Sequence, residues 1–281
     1  MLIGGILILS ATISAAACVL GGAFASAWWL LWLLLGFLGS FLVLGGIAFA
    51  VLWLACRLVD FSVPQEHDSK FYRGLLRLYI PAVMTILQMR IHANGIENIP
   101  KDGRFFLVCN HINDLDPVTL LGMFPKSQLA FITKRENMNM FLVGKLMHKI
   151  LCQPINREND KEALKTILNC IKLIQQDMVS IAVFPEGYTS MDGKLHKFRH
   201  GVFKIAQKTK VPVVVCTLQN TNKVFHNALR LKPTDVHVHL VKVLQPEFFE
   251  NMTAVELGEY VHELMAEDLG PDLVLSYEEN A

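Results

Sequence analysis

The stretch that decides the fold is RFFLVC at residues 104–109, followed at once by NHINDLDP at residues 110–117. A short apolar run that ends in polar residues is typical of a buried strand whose C-terminal end opens into a loop. Other runs of strand length follow along the chain, at residues 129–133, 180–184, 211–218 and 236–240. The last of these alternates apolar residues with histidines, which predicts a half-exposed strand.

Helical patterns lie between and after these runs. In residues 161–178 apolar side chains recur at intervals of three and four, and Asn159 with Glu162 predicts a capping box at the start. Residues 253–268 predict a closing amphipathic helix. This alternation favours an α/β fold class, with a mostly parallel sheet flanked by helices.

The N-terminal segment differs sharply from the rest, because residues 1–56 contain no Asp, Glu, Lys or Arg. Residues 2–23 are apolar and would span roughly 33 Å as a helix, enough to cross a bilayer. A second apolar run at 28–56 has tryptophans at both ends, as in the aromatic belts of membrane interfaces. We expect a transmembrane helical hairpin; a cleaved signal peptide is disfavoured because no Lys or Arg precedes the apolar run.

The first apolar run also carries small residues at every fourth position, namely Ser10, Ser14, Cys18 and Gly22. Such a ridge allows a neighbouring helix to approach closely. The alternative is that the ridge reflects only a composition rich in small residues. Both interpretations remain open from the sequence.

Positive charge begins directly after the second run and is absent from the turn between the two runs. The first cations are Arg57, Lys70, Arg73 and Arg77. Because positively charged segments stay on the cytoplasmic side, we expect an integral membrane protein with a cytosolic catalytic domain. The predicted division is two transmembrane helices at 1–56, an interfacial or connecting helix at 57–93, and the α/β domain at 94–281.

Within the connecting segment, residues 71–89 mix apolar side chains with arginines. An amphipathic helix lying in the membrane interface and an ordinary core helix fit this pattern equally well. Pro81 is expected to kink either one.

The composition excludes several classes of protein. With 52% hydrophobic and 18% charged residues, the chain is not disordered, and its net charge of +1 disfavours a nucleic-acid binder driven by bulk charge. None of the six cysteines forms a C-x-x-C pair, so neither a zinc ribbon nor a redox motif is predicted, and a reducing compartment is favoured. His237 and His239 share a strand face without a carboxylate or cysteine cluster, so no metal site is predicted there.

Two strand ends carry groups suited to chemistry. His111 follows the strand at 104–109, and Asp116 five residues later can return to one imidazole nitrogen, leaving the other to take a proton from a hydroxyl. The second group is the carboxylate of Glu186 in FPEG, residues 184–187, which follows another apolar run. Taken singly, each is also compatible with an ordinary polar turn.

Taken together, His111 with Asp116 and the FPEG segment resemble the H-x4-D and F-P-E-G motifs of the glycerolipid acyltransferases, most closely the 1-acylglycerol-3-phosphate acyltransferases. Further blocks agree in order and spacing: GIENIP at 95–100, KRE at 134–136, PINR at 154–157, GKL at 193–195 with FRHG at 198–201, and VPVV at 211–214. The resemblance covers residues 95–218.

The resemblance implies transfer of an acyl group from an acyl thioester to lysophosphatidic acid, with His111 as general base and Asp116 orienting it. It implies that Glu186 holds the glycerol backbone and that Arg157 binds phosphate. The further substrate-binding candidates are Asn110, Gly187, Lys134, Lys194 and Arg199. The thioester donor is acyl-coenzyme A or acyl-acyl carrier protein, which makes acyl carrier protein a possible partner alongside membrane lipid; no cofactor, metal or nucleic acid is implied.

Two positions depart from the family pattern. Thr189 stands where relatives often have an arginine after F-P-E-G, and Asn113 replaces a common serine. If that arginine contacts phosphate in relatives, this chain must use another cation. Other lysophospholipids or glycerol 3-phosphate as acceptor, a membrane-bound hydrolase of thioesters or lipids, and a non-enzymatic membrane adaptor are the alternatives.

Overall fold

The structure of the protein is a computed structural model, which describes residues 1–190 and 192–275. The chain forms two compact units, residues 1–62 and the described residues from 63 onward. The last six residues of the predicted domain at 94–281 lie outside the described residues. The predicted division at residues 56 and 93 stays a prediction.

The N-terminal unit consists of two long apolar helices, α1 (Leu2–Leu20) and α2 (Trp29–Arg57). Both are long and apolar enough to cross a membrane. A short turn with Gly22 in the left-handed conformation connects them. The two apolar runs of the sequence therefore form the two helices expected of a hairpin.

Small residues mediate the packing of α1 against α2. The hydroxyl of Ser14 donates to the Leu33 carbonyl at 2.5 Å, and that of Ser40 donates to the Ser10 carbonyl at 3.2 Å. These pairs make the two helices antiparallel. The residues that α1 buries are Ser10, Ser14 and Cys18. Three residues of the small-residue ridge therefore lie on the buried face of α1, where α2 packs against it. The fourth, Gly22, lies beyond the end of α1.

The second unit is built on a single sheet. Its strands are β1 (Met89–Asn94), β2 (Phe106–Cys109), β3 (Leu129–Lys134), β4 (Gln153–Ile155), β5 (Ser180–Val183), β6 (Val213–Gln219) and β7 (Thr234–Leu244). Their spatial order is β1-β7-β6-β2-β5-β3-β4, and every neighbouring pair is parallel except β6 with β7. The predicted mostly parallel α/β sheet is confirmed.

Helices cover both faces of this sheet. They are α3 (Lys70–Ile86), α4 (Asp116–Met123), α5 (Val143–Lys149), α6 (Asp160–Gln175), α7 (Lys204–Thr209), α8 (Val224–Leu229) and α9 (Ala254–Leu269). Phe106 and Val108 of β2 join a core cluster with α6, α7 and α9, whereas Leu107 and Cys109 join the cluster that includes α4 and α8. Successive strand residues point to opposite faces, so burial on both sides explains the unbroken apolar runs.

The helix caps differ in part from the prediction. Asn159 does cap α6, with its side chain accepting from backbone N–H groups of the first turn. The reciprocal bond is missing, because the Glu162 carboxylate accepts from Arg135 at 2.9 Å instead. The predicted capping box at α6 is therefore wrong. A complete capping box forms at α9, between Thr253 and Glu256.

Helix α3 packs one face into the core, while Phe71 and Ile86 are exposed, so both interpretations of this helix stay predictions. Its Arg73 is buried, pairs with Asp68 at 2.9 Å and donates to the Leu129 carbonyl at 2.7 Å. Burial lowers the pKa of Arg73, and Asp68 opposes this effect. The helix ends before Gln88, which has a φ of +52°, and Met89 already begins β1. A left-handed residue breaks the helical path, which the sequence did not reveal.

Candidate active site

The candidate site lies at the C-terminal ends of two adjacent parallel strands. His111 comes two residues after β2, and Glu186 comes three residues after β5. Because β2 and β5 are paired in parallel, their ends lie side by side. The backbone N–H of His111 donates to Oε1 of Glu186 at 2.8 Å. The structure thus brings the two predicted motifs into direct contact.

Asp116 fixes the orientation of the His111 ring. Its Oδ2 lies 2.9 Å from Nδ1 of His111 and also accepts the N–H groups of Ile112 and Asn113, at 2.7 and 2.8 Å. The hydroxyl of Thr221 donates to Oδ1 at 2.5 Å. The carboxylate is fully buried at the first residue of α4, where the helix dipole favours negative charge. A carboxylate only accepts, so Nδ1 carries the hydrogen and Nε2 is left as a base.

The other ring nitrogen faces a hydroxyl group. Nε2 of His111 lies 3.1 Å from Oγ1 of Thr189, the residue that departs from the expected motif after F-P-E-G. Phe184 stacks on the ring at 4.2 Å, and Ser190 donates its N–H and hydroxyl to the His111 carbonyl at 2.7 and 3.0 Å. The imidazole is therefore held on one face and at both nitrogens.

Glu186 joins the two loops of the site. It is buried, and its two oxygens accept backbone N–H groups from His111 and, at 3.1 Å, from His196. Burial raises the pKa of Glu186 to about 8, although the two N–H donors lower it, and the charges of Asp116 and Asp192 raise it further. The carboxyl group is engaged by the protein backbone, so its predicted contact with glycerol stays a prediction.

Gly187 allows an arginine to cross the FPEG loop. Its φ is +84°, and a Cβ there would lie 2.9 Å from Cδ and Nε of Arg199. Both the backbone conformation and the close approach require glycine. The Arg199 N–H donates to the Pro185 carbonyl at 2.7 Å, which fixes the base of this side chain beside the site.

Arg157 and Arg199 are like charges that lie close enough to repel each other. Burial lowers the pKa of Arg157, and the positive charge of Arg199 lowers it further, while Glu136 partly offsets both. Within the described residues, no carboxylate forms an ion pair with either guanidinium. Two neighbouring guanidinium groups without a partner carboxylate are suited to bind a doubly charged anion.

The two predicted lysines are placed differently. Lys134 is the last residue of β3, is exposed, and lies with its Nζ 3.6 Å from the Glu136 carboxylate. Lys194 is held by its backbone, which donates to Asp192 at 3.0 Å. Their predicted substrate contacts stay predictions.

Asn110 connects the site to the neighbouring strand. Its Oδ1 accepts the Leu218 N–H at 2.7 Å, and its Nδ2 donates to the Leu218 carbonyl at 2.9 Å. The buried side chain therefore ties the end of β2 to the end of β6. A contact with substrate stays a prediction for this residue too.

The sequence did not predict the hydroxyl groups around the His111–Asp116 pair. Thr189 stood out only as a departure from a motif, and Thr221 lies 105 residues from Asp116 along the chain. The one available signal was that each follows a predicted strand, Thr189 after the run at 180–184 and Thr221 after the run at 211–218.

Comparison with known proteins agrees with this geometry. The sequence profile of the Acyltransferase family matches residues 90–219. This range includes all the motifs that carry the resemblance. Residues 90–219 are an acyltransferase domain. The resemblance to the 1-acylglycerol-3-phosphate acyltransferases is confirmed by this match together with the names of similar proteins.

Several relatives of this acyltransferase domain carry that name. The chloroplastic 1-acyl-sn-glycerol-3-phosphate acyltransferase of Brassica napus is 35% identical over 57% of this chain and 45% of its own length. The protein of that name from Borreliella burgdorferi is 27% identical over 68% of this chain and 78% of its own. The chain spans about half the length of the plant relatives it matches.

A solved structure shares the fold of most of this chain, including the acyltransferase domain. The crystal structure of the 1-acyl-sn-glycerophosphate acyltransferase from Thermotoga maritima superposes with a TM-score of 0.60 at 24% identity, over 80% of this chain and 86% of that one. The likeness confirms the fold class.

Proposed function

We propose that this chain transfers a fatty acyl group from an acyl thioester to the free hydroxyl of 1-acylglycerol 3-phosphate, giving phosphatidic acid. The observation that carries the proposal is the His111–Asp116 pair, whose free nitrogen already faces a hydroxyl at 3.1 Å. The names of the relatives support the acceptor.

In the proposed reaction His111 acts as general base. Its Nε2 takes the proton of the acceptor hydroxyl while the oxygen attacks the thioester carbonyl carbon. The C–S bond then breaks, and the thiolate takes the proton from His111 to leave as a thiol. The Asp116 carboxylate stabilises the transient imidazolium. Since a thioester is already activated, positioning and one base, worth about 10²–10⁴-fold for the proton transfer, supply most of the catalysis.

Arg157 and Arg199 are proposed to bind the phosphate of the acceptor. Their mutual repulsion is relieved when a dianion lies between them, and a guanidinium binds phosphate through two parallel hydrogen bonds. Arg199 crosses Gly187 beside the site, so it takes over the part of the arginine that Thr189 replaces. Lys134, Lys194, Asn110 and Glu186 remain further proposed contacts.

The donor is proposed to be acyl-coenzyme A or acyl-acyl carrier protein, without a metal or other cofactor. We also propose that α1 and α2 anchor the chain in a membrane, with the acyltransferase domain on the cytosolic side. Their length and apolar character support the anchor, and the cations that follow α2 support the orientation. Both acceptor and product are lipids, so a membrane location serves the reaction.

The test is an acyl-transfer assay on detergent-solubilised full chain. A labelled acyl thioester of either type is offered with lysophosphatidic acid, lysophosphatidylcholine or glycerol 3-phosphate, and His111→Ala serves as the control. Phosphatidic acid from lysophosphatidic acid alone is expected. Product from another acceptor alone would keep the acyl transfer but assign a different acceptor. Thioester loss without lipid product would indicate a hydrolase, and no reaction would favour a non-enzymatic adaptor.

A further inference from the structure

Helix α8 and the residues beside it present an apolar surface that the proposed reaction does not use. Phe225 is 49% exposed, Leu229 88% and Leu231 81%, all within seven residues. Single exposed leucines are common on proteins, but three large apolar side chains on one short segment mark an interaction surface. We refer to residues 223–232 as the α8 tip.

The backbone conformation of Leu231 indicates that this exposed leucine does not stabilise the fold. Its φ is +54°, in the left-handed region. Its N–H donates to the Ala228 carbonyl at 3.0 Å, and the Lys232 N–H donates to the Asn227 carbonyl at 2.9 Å, which closes α8 in a Schellman motif. Glycine is favoured at such a position. A leucine there adds backbone strain and gains no burial, so its side chain serves something outside the fold.

The charged residues within the α8 tip have one sign. The exposed cations Lys223, Arg230 and Lys232 alternate with the apolar side chains. No acidic residue occurs between Asp192 and Asp235 in the sequence. Apolar side chains flanked by cations are typical of segments that enter the headgroup region of an anionic bilayer.

We propose that the α8 tip docks on an anionic lipid surface, with Phe225, Leu229 and Leu231 entering the acyl-chain boundary and the three cations contacting lipid phosphates. The tip begins two residues after Thr221, whose hydroxyl binds the Asp116 carboxylate. Docking therefore brings the bilayer close to Thr221 and to the His111–Asp116 pair. The inference rests on the proposed function only in that the acceptor lipid resides in the same bilayer.

The test places a fluorophore on the tip of the full chain in lipid nanodiscs. All six native cysteines are buried, so a bimane label can be directed to Leu229→Cys. The matched control is Val255→Cys, which is 46% exposed at the start of α9; α8 precedes β7 in the chain, whereas α9 follows its other end. Lipids with doxyl groups on their acyl chains are the quenchers.

We expect bimane at position 229 to be quenched more strongly than at position 255, with quenching that rises when phosphatidylglycerol is added to phosphatidylcholine and falls with salt. Equal quenching at both positions, or quenching indifferent to phosphatidylglycerol, would overturn the proposal. A blue shift in detergent that grows with protein concentration would instead place a second copy on the tip and overturn it as well.

Two variants test whether these residues form the docking surface. Leu231→Gly suits the left-handed backbone. Changing Lys223, Arg230 and Lys232 together to Gln removes three exposed charges, together with the hydrogen bond from Lys223 to Asn220. Both should weaken quenching at position 229 severalfold. If the chain proves to have no acyltransferase activity, the quenching result still stands, so failure of the two proposals can be told apart. Unchanged quenching in both variants would refute the docking surface.

Discussion

The hydroxyl oxygen of Thr189 lies 3.1 Å from Nε2 of His111, the nitrogen that takes the proton in the proposed reaction. An acceptor hydroxyl must come within the same hydrogen-bond distance of Nε2 before its proton can be transferred. In the proposed reaction the acceptor hydroxyl therefore takes the place of the Thr189 hydroxyl, which is displaced when the acceptor binds.

Thr189→Val should leave kcat within about tenfold of the native value, whereas His111→Ala should lose about 10²–10⁴-fold. The acceptor brings its own hydroxyl, so the threonine hydroxyl is dispensable while the base is not. Steady-state kinetics with lysophosphatidic acid measures both, and thermal unfolding checks that each variant folds. A loss in Thr189→Val as large as in His111→Ala would indicate that the threonine oxygen itself becomes acylated, which contradicts direct transfer.

Arg157→Ala and Arg199→Ala should each raise the KM for lysophosphatidic acid by about 10–100-fold, the effect of one lost charge-assisted hydrogen bond. The KM for the thioester should stay unchanged. With an uncharged monoacylglycerol as acceptor, the KM of the variants should differ less from that of the native chain, because no phosphate is then bound. Lys208→Ala, an exposed cation on α7, is the control. A shift confined to the thioester KM would show that these arginines bind the donor.

The sequence predicts those parts of the site that depend on local spacing. His111 and Asp116 belong to one loop, so a turn after β2 suffices to bring them together at 2.9 Å. The contact between His111 and Glu186 also follows once β2 and β5 are neighbours. Buried strands were recognisable because helices cover both faces and keep the runs apolar.

Other contacts depend on strand order, which no local pattern encodes. Thr221 reaches Asp116 because β6 is the other neighbour of β2, and Arg199 reaches Gly187 because the chain returns across the FPEG loop. Strands β1 and β4 were not predicted, because neither has the unbroken apolar run by which the buried strands were recognised. At α6 the Glu162 carboxylate accepts from Arg135, which is distant in sequence, and also from nearby Asn156, so the predicted capping box does not form.

Glu186 should make stability fall as pH rises. Its pKa in the folded chain is about 8, above the ordinary value of 4.5, so between these two pH values the folded state binds more protons than the unfolded state. Stability from this group is complete below pH 4.5 and is lost as pH rises through 8. Denaturant unfolding of the full chain at several pH values measures the slope.

Glu186→Gln should flatten that slope because the side chain no longer titrates, although it loses one acceptor for a backbone N–H. Glu247→Gln, at an exposed position, should keep the native slope. A slope unchanged in Glu186→Gln would show that the carboxyl group is ionised throughout, held by the N–H groups of His111 and His196.

The packing of α1 on α2 depends on Gly36, where a Cβ would lie 2.8 Å from the Ser14 hydroxyl oxygen. Gly36→Leu should therefore force the helices apart, at a cost of about 1–3 kcal/mol for overpacking a tight contact. Gly39→Leu adds the same side chain where nothing lies within 4 Å, so it controls for hydrophobicity and helix propensity.

A crosslinking experiment measures how closely the two helices approach. With Ser10→Cys and Ser40→Cys, at the two residues whose hydrogen bond joins the helices, a short thiol crosslinker reports their proximity. The yield should fall in Gly36→Leu and persist in Gly39→Leu, since only the first change meets a neighbouring helix; equal yields would mean that the small-residue ridge does not set the approach of the two helices.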